Sequence, residues 1–157
     1  MTPRGGHAHA HGDGDPQAWA ERARRELAAR GHRAGAAREA VIERLARDGG
    51  CLTAHELAER LRGDGRRVGL ASVYRALVAL EDAGLLRPAD LGPGERRFEL
   101  VHDDGSHHHH VVCERCGRTI AFSDAGLERA IDGVAGRLGV TIDAHDVVLR
   151  GTCRDCS

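Results

Sequence analysis

The sequence contains no lysine: all 23 of its basic residues are arginine. It is also poor in aromatic mass, with one Trp, one Tyr and two Phe among 157 residues. Its core must therefore be built from Leu, Val, Ile and Ala, which favours small helices with short strands. No apolar run approaches the roughly 18 residues that argue for a membrane-spanning helix. The opening MTPRGGHAHAHGDGDP lacks the apolar stretch of a secretion signal, so a cytoplasmic chain is expected. The length allows one compact core or two small ones and excludes a large catalytic scaffold.

A formal net charge of −1 means that any affinity for nucleic acid rests on placement, not on bulk attraction. Between Pro16 and Arg75 there are 13 Arg against 8 acids, and beyond Arg75 the balance reverses to 9 against 14. Exclusive use of Arg reflects compositional bias before it reflects binding, yet the basic excess lies in the first half.

Residues 1–15 are Gly, His and Asp with almost nothing apolar, the composition of a disordered tail in which His7, His9 and His11 could hold a metal weakly. Helical periodicity begins at Pro16. The spacing predicts helices over about 16–30 and 35–47, a third opened by the reciprocal Thr53-x-x-Glu56 cap, and a fourth over 70–83 closed by Gly84. The exposed face of the fourth helix is expected to carry Ser72, Tyr74 and Arg75. Short strands at 85–86 and 97–101 flank a Gly-Pro-Gly turn, and helices followed by such a two-stranded ribbon make a winged helix-turn-helix. The second half reads differently, with strands at 108–112, 118–122 and 147–150 around an amphipathic helix whose stripe is Leu127, Ile131, Val134 and Leu138. The expected fold class is α+β, in two modules with a hinge near 86–96 or 101–106.

Four of the five cysteines form two C-x-x-C pairs, Cys113/Cys116 and Cys153/Cys156. Two such turns supply the four thiolates of a tetrahedral zinc ion, and a closed four-sulfur site leaves no position for water or substrate. The expected ion is therefore structural, with folding of the second module coupled to metal loading. A redox dithiol is the alternative. Arg115, Arg118 and Arg154 lie close enough in sequence to offset the thiolate charge.

The run His107–His110 leads directly into Val111-Val112-Cys113. In an extended strand, side chains alternate, so His108 and His110 face one side and His107 and His109 the other. One strand can thus serve two metal sites; the alternative is a solvated loop that binds metal adventitiously.

The segment Val68-Gly-Leu-Ala-Ser-Val-Tyr-Arg-Ala-Leu77, the later Gly84-Leu85, the four histidines followed by Cys113-x-x-Cys116-Gly117, and the closing Gly151-x-Cys153-x-x-Cys156 together resemble the ferric uptake regulator (Fur) family of metal-dependent repressors, over residues 20–156. The resemblance implies a winged-helix DNA-binding domain over 16–100 and a small α/β metal-binding dimerisation domain over 101–157. It implies a structural zinc on the four cysteines and a sensor site of Cys51, Glu99, His108 and His110, with His102 or Asp103 as alternatives to Glu99. It implies a third metal site of His107, His109, Glu128 and His145, and DNA contacts from Arg38, Ser72, Tyr74 and Arg75. Two departures bear on the metal. Cys51 stands where iron and peroxide regulators have His, and Ala121 where they often have an acid. One thiolate, two imidazoles and one carboxylate suit Zn²⁺ better than oxygen-preferring Mn²⁺ or Fe²⁺, so the zinc uptake branch is favoured, with Fe²⁺, Mn²⁺ or Ni²⁺ as other candidates. Gly35, where the family usually has Thr, puts one phosphate contact near Arg38 in question.

The expected function is a non-enzymatic, metal-responsive homodimeric repressor of metal-uptake genes, acting on a palindromic operator. An iron- or peroxide-responsive regulator is the alternative within the class. A zinc hydrolase would need an open three-ligand ion, and a metal-storage protein would leave the Ser72–Arg75 segment unexplained.

Overall fold

Asp15, which composition assigns to the tail, caps the first helix: its carboxylate accepts the N–H of Gln17 at 3.0 Å, and Pro16 follows at the first helical position. The structure is a computed structural model that describes residues 15–102 and 107–157. The tail histidines and Asp103 lie outside the described residues. Within these, the chain forms two compact units, divided between Ser106 and His107.

In the first unit, α1 (Pro16–Ala29), α2 (Ala36–Asp48), α3 (Ala54–Gly63) and α4 (Leu70–Asp82) pack on a small sheet. The apolar stripes converge: Val41 and Leu45 of α2, Leu57 and Leu61 of α3, and Val73, Leu77 and Leu80 of α4 are all fully buried. The expected reciprocal cap is present, with the Glu56 N–H donated to Thr53 Oγ1 at 3.1 Å and the Thr53 N–H to Glu56 Oε2 at 2.9 Å. Gly84, at φ 73°, ends α4 in a left-handed cap in which Leu85 N–H reaches the Leu80 carbonyl.

The ribbon expected from sequence is in fact a three-stranded sheet, ordered β1 (Cys51–Thr53), β3 (Arg97–Leu100), β2 (Leu86–Ala89), all antiparallel. Strand β1 was not anticipated because three residues carry no periodicity; pairing with β3 holds them extended. Leu52, Phe98, Leu86 and Leu100 face the core from this sheet. The alternate face carries the row Cys51–Glu99–Arg87, aligned directly across the three strands.

The second unit has a sheet ordered β5 (Thr119–Phe122), β4 (His109–Cys113), β6 (Val148–Gly151), with α5 (Ala125–Leu138) between β5 and β6 in sequence. β4 pairs antiparallel with β5 and parallel with β6. A parallel pair needs a long crossover, which α5 and the segment after it provide. The unit is thinly buried: of its residues only His109, His110 and Cys113 are below the surface, and no residue of α5 is. Among the described residues, every large exposed hydrophobic except Val78 belongs to this unit, including Val134, Leu138, Val140, Ile142 and Leu149.

Candidate metal centres and nucleic-acid face

The parallel register of β4 with β6 sets Cys113 beside Gly151, so both C-x-x-C turns leave the sheet at the same end. Gly117, at φ 71°, closes the first turn through its N–H to the Cys113 carbonyl at 2.8 Å, and the short 3₁₀ turn Arg154–Cys156 forms the second. The four sulfurs lie within 4.8 Å of one another, with Cys116 and Cys153 at 3.8 Å. A tetrahedron of Zn–S bonds about 2.3 Å long has edges of about 3.8 Å, so this arrangement could hold zinc. The N–H of Cys153, donated to Cys113 Sγ at 3.3 Å, is the main cause that holds the Cys113 thiol down at about 6. Hydrogen bonding with the Cys116 thiol, then with that of Cys153, pushes Cys156 up to about 12. Four thiols this close resist ionising together unless a cation takes the protons' place. Arg118 pairs with Asp155 at 2.5 Å and Arg115 donates to the Cys156 carbonyl, tying one turn to the other.

The alternation of the histidine run is realised. His107 and His109 meet Glu128 from the first turn of α5 and His145 from the segment before β6. His109 Nε2 lies 2.7 Å from Glu128 Oε1, His145 Nε2 3.1 Å from Glu128 Oε2, and His107 Nε2 2.9 Å from His145 Nε2. Asp124 accepts the Leu127 N–H at 2.8 Å and so fixes the start of α5 and the position of Glu128. His109, first, and the other two imidazoles hold the Glu128 carboxyl below its ordinary range. Three Nε2 atoms and a carboxylate converging on one point form a ligand set for Zn²⁺ or a similar ion, whose bonds of about 2.0–2.1 Å span edges near 3.4 Å.

Of the residues expected at a sensor site, Cys51 and Glu99 belong to the first unit and His108 and His110 to the second. In the first, Cys51 stands directly across from Glu99. The Glu99 side chain is 2% exposed, and Arg87 grips its Oε2 with Nη2 at 2.7 Å and Nε at 3.0 Å. Burial, and then the charge of Glu99, pushes the Cys51 thiol up to about 12. In the second, His110 of β4 is buried and His108, just before the strand, is half-buried. Ala121 sits directly across from His110, so the position at which the resemblance would place an acid carries only a methyl. His102 follows β3 by two residues and is half-buried.

On α4, Arg75 is exposed and donates to Ser72 Oγ at 2.9 Å. Tyr74 and Ser72 are half-buried, not exposed as expected; Tyr74 packs against the core edge while its hydroxyl donates to Glu95 Oε1 at 2.9 Å. Arg38 from α2 joins Tyr74 and Arg75 along an open groove of ≈ 440 Å³, with its guanidinium on the Arg33 carbonyl. Sequence inspection missed Glu95, which also meets His55 Nδ1 at 2.5 Å, and Arg87. Both act across strands or from a turn to a helix, so no sequence spacing announces them.

A winged helix joined to a second unit carrying two compact clusters of metal-ligating side chains defines a metal-responsive DNA-binding regulator. The sequence model of the ferric uptake regulator family matches residues 29–150, and the chain belongs to that family. It is 37% identical over 105 residues to the ferric uptake regulation protein of Bordetella parapertussis, covering 67% of this chain and 74% of that one. Among solved structures, the Vibrio cholerae ferric uptake regulator superposes with a TM-score of 0.70 at 32% identity, covering 82% of this chain and 98% of that one. The Helicobacter pylori regulator superposes with a TM-score of 0.76 at 27% identity, covering 90% and 93%. No helix among the described residues is long and apolar enough to cross a membrane.

Proposed function

We propose that this regulator responds to zinc and represses metal-uptake genes in the cytoplasm, binding a palindromic operator as a homodimer. The observation that carries the choice of metal is the adjacency of Cys51 and Glu99, a soft sulfur beside a carboxylate. Completed by His108 and His110, this is a four-coordinate N₂SO set, which suits Zn²⁺ better than ions that prefer six oxygen-rich ligands. The four cysteines hold a structural zinc, and His107, His109, Glu128 and His145 a third ion. The Helicobacter pylori relative is described as having three functional metal binding sites, which supports that number.

The exposed apolar side chains of the second unit serve dimerisation: Leu138 is 69% exposed and Val140 53% in the single chain. In the dimer, two α4 helices enter successive major grooves, with Arg75, Tyr74 and Ser72 toward the bases and Arg38 toward a phosphate. Metal and DNA binding to such a regulator are reciprocally linked: each raises the affinity for the other by the same factor.

An iron-responsive regulator is the second reading, favoured by the name of the Bordetella relative. Selection from a random duplex library, followed by titration with Zn²⁺, Fe²⁺ and Mn²⁺ under anaerobic conditions, separates the two. Zinc is expected to support binding at the lowest free concentration and to select an inverted repeat. Saturation by Fe²⁺ at lower concentration than Zn²⁺ assigns the site to iron.

A further inference from the structure

Arg87, Glu99 and Cys51 form one row across three adjacent strands, and a direct cross-strand row projects to one face of a sheet. Glu99 has its carboxylate in a place water scarcely reaches, at 2% exposure, whereas Arg87 is 33% exposed. Both Nε and Nη2 of the guanidinium fall on the same oxygen, Oε2, at 3.0 and 2.7 Å. A carboxylate that also binds a metal must therefore share its charge with a fixed positive group beside it.

We propose that Arg87 sets the affinity of the sensor site, standing as the counter-cation of Glu99 and so weakening the grip of Glu99 and Cys51 on a divalent ion. The proposal rests on the assignment of Cys51 and Glu99 to that site. Two physical effects act in the same direction. Without metal, Arg87 helps to neutralise a nearly dry carboxylate, and weakening the pairing of a buried charge is unfavourable. With metal bound to Glu99, the guanidinium would be a like charge beside a dication, in surroundings less screening than bulk water. Arg87 thus favours the metal-free protein over the loaded one. A regulator gains by this, because its metal must leave when supply falls. The residue touches no metal itself; it is a positioning and affinity-setting residue.

The test compares the wild-type chain with R87M and R87K, each carrying zinc on the four cysteines. All are made in an E128Q background, which removes the carboxylate from the His107/His109/His145 cluster; the second zinc equivalent is titrated against a chromophoric chelator, and thermal melts are recorded before and after that addition. R87M is expected to bind the second zinc about tenfold more tightly, equivalent to about 1.4 kcal/mol. It should also melt lower than wild type before the addition and show a larger rise on it. R87K, which keeps the charge but not the two-donor grip of the guanidinium, should bind the second zinc less tightly than R87M does. Unchanged or weaker zinc binding by R87M overturns the proposal and makes Arg87 an orienting partner of Glu99. Should R87M fail to fold, R87Q keeps an N–H donor without the charge and carries the same expectation. C51S, run alongside, distinguishes the two levels of failure. If C51S binds the second zinc as wild type does, the sensor assignment falls and the proposal with it. If C51S loses that zinc while R87M is unchanged, the role of Arg87 alone is refuted.

Discussion

Cys51 lies directly opposite Glu99 on neighbouring antiparallel strands, although 48 positions separate them in the chain. That pairing exists because a three-residue strand enters α3 through the Thr53–Glu56 cap, and Arg97 braces the entry. Its guanidinium reaches the Cys51 carbonyl at 3.3 Å and both oxygens of Glu56 at 3.0 and 3.1 Å.

Replacement of Cys51 by Ser removes the soft donor while leaving this backbone frame in place. Changes to groups that merely orient a ligand already cost about 10–100-fold in metal affinity. Loss of the ligand itself should cost at least as much for zinc. C51H should respond relatively better to Fe²⁺ or Mn²⁺ than the wild type does. Competition titrations with the three ions check both, and an unaltered order of preference in C51H would detach metal choice from this position.

The two faces of the histidine strand are separable by mutation. H108A/H110A should abolish metal-dependent DNA binding yet leave the second unit folded. H107A/H109A should instead remove the ion held with Glu128 and His145, and with it the buried imidazole of His109, lowering the melting temperature by several degrees. Metal-analysed samples followed by gel shift and calorimetry distinguish them. Identical behaviour of the two double variants would mean that the faces are not independent.

The second unit has so few buried side chains that its cohesion is expected to depend on the four-sulfur site and on a partner. C113S is expected to lose zinc, dimer and the near-native dichroism of this unit together, while α1–α4 keep their helicity, since their core is separate. A strong chelator acting on the wild type should produce the same state. Sedimentation and circular dichroism measure it; a C113S protein that stays dimeric would exclude a structural role for the cysteines.

Arg75 and Arg38 should contribute to DNA binding in different ways. R75A should cost about 1–3 kcal/mol and relax the preference at one base position. R38A should weaken binding to all sequences alike and reduce the salt slope by about one. Salt-dependent anisotropy on selected and scrambled duplexes supplies both numbers. A uniform loss in R75A would make it a backbone contact.

The sequence by itself determined the helices of the first unit, the caps at Thr53 and Gly84, the alternation expected of the histidines and the two C-x-x-C turns as separate motifs. Each of these is local: apolar spacing, a reciprocal cap and a two-residue period are written within a few residues of the groups they place. Composition likewise decided that the core would be mainly aliphatic, with Trp19 and Phe98 as its aromatic members. What tertiary structure decided is which distant groups meet. β1 became visible only through β3, Arg87 acquired meaning only in the row it shares with Glu99, and Tyr74 met Glu95 only because a turn folds back on α4. Cross-strand register is set by burying Leu52, Phe98 and Leu86 on one face, and that burial fixes what stands on the other.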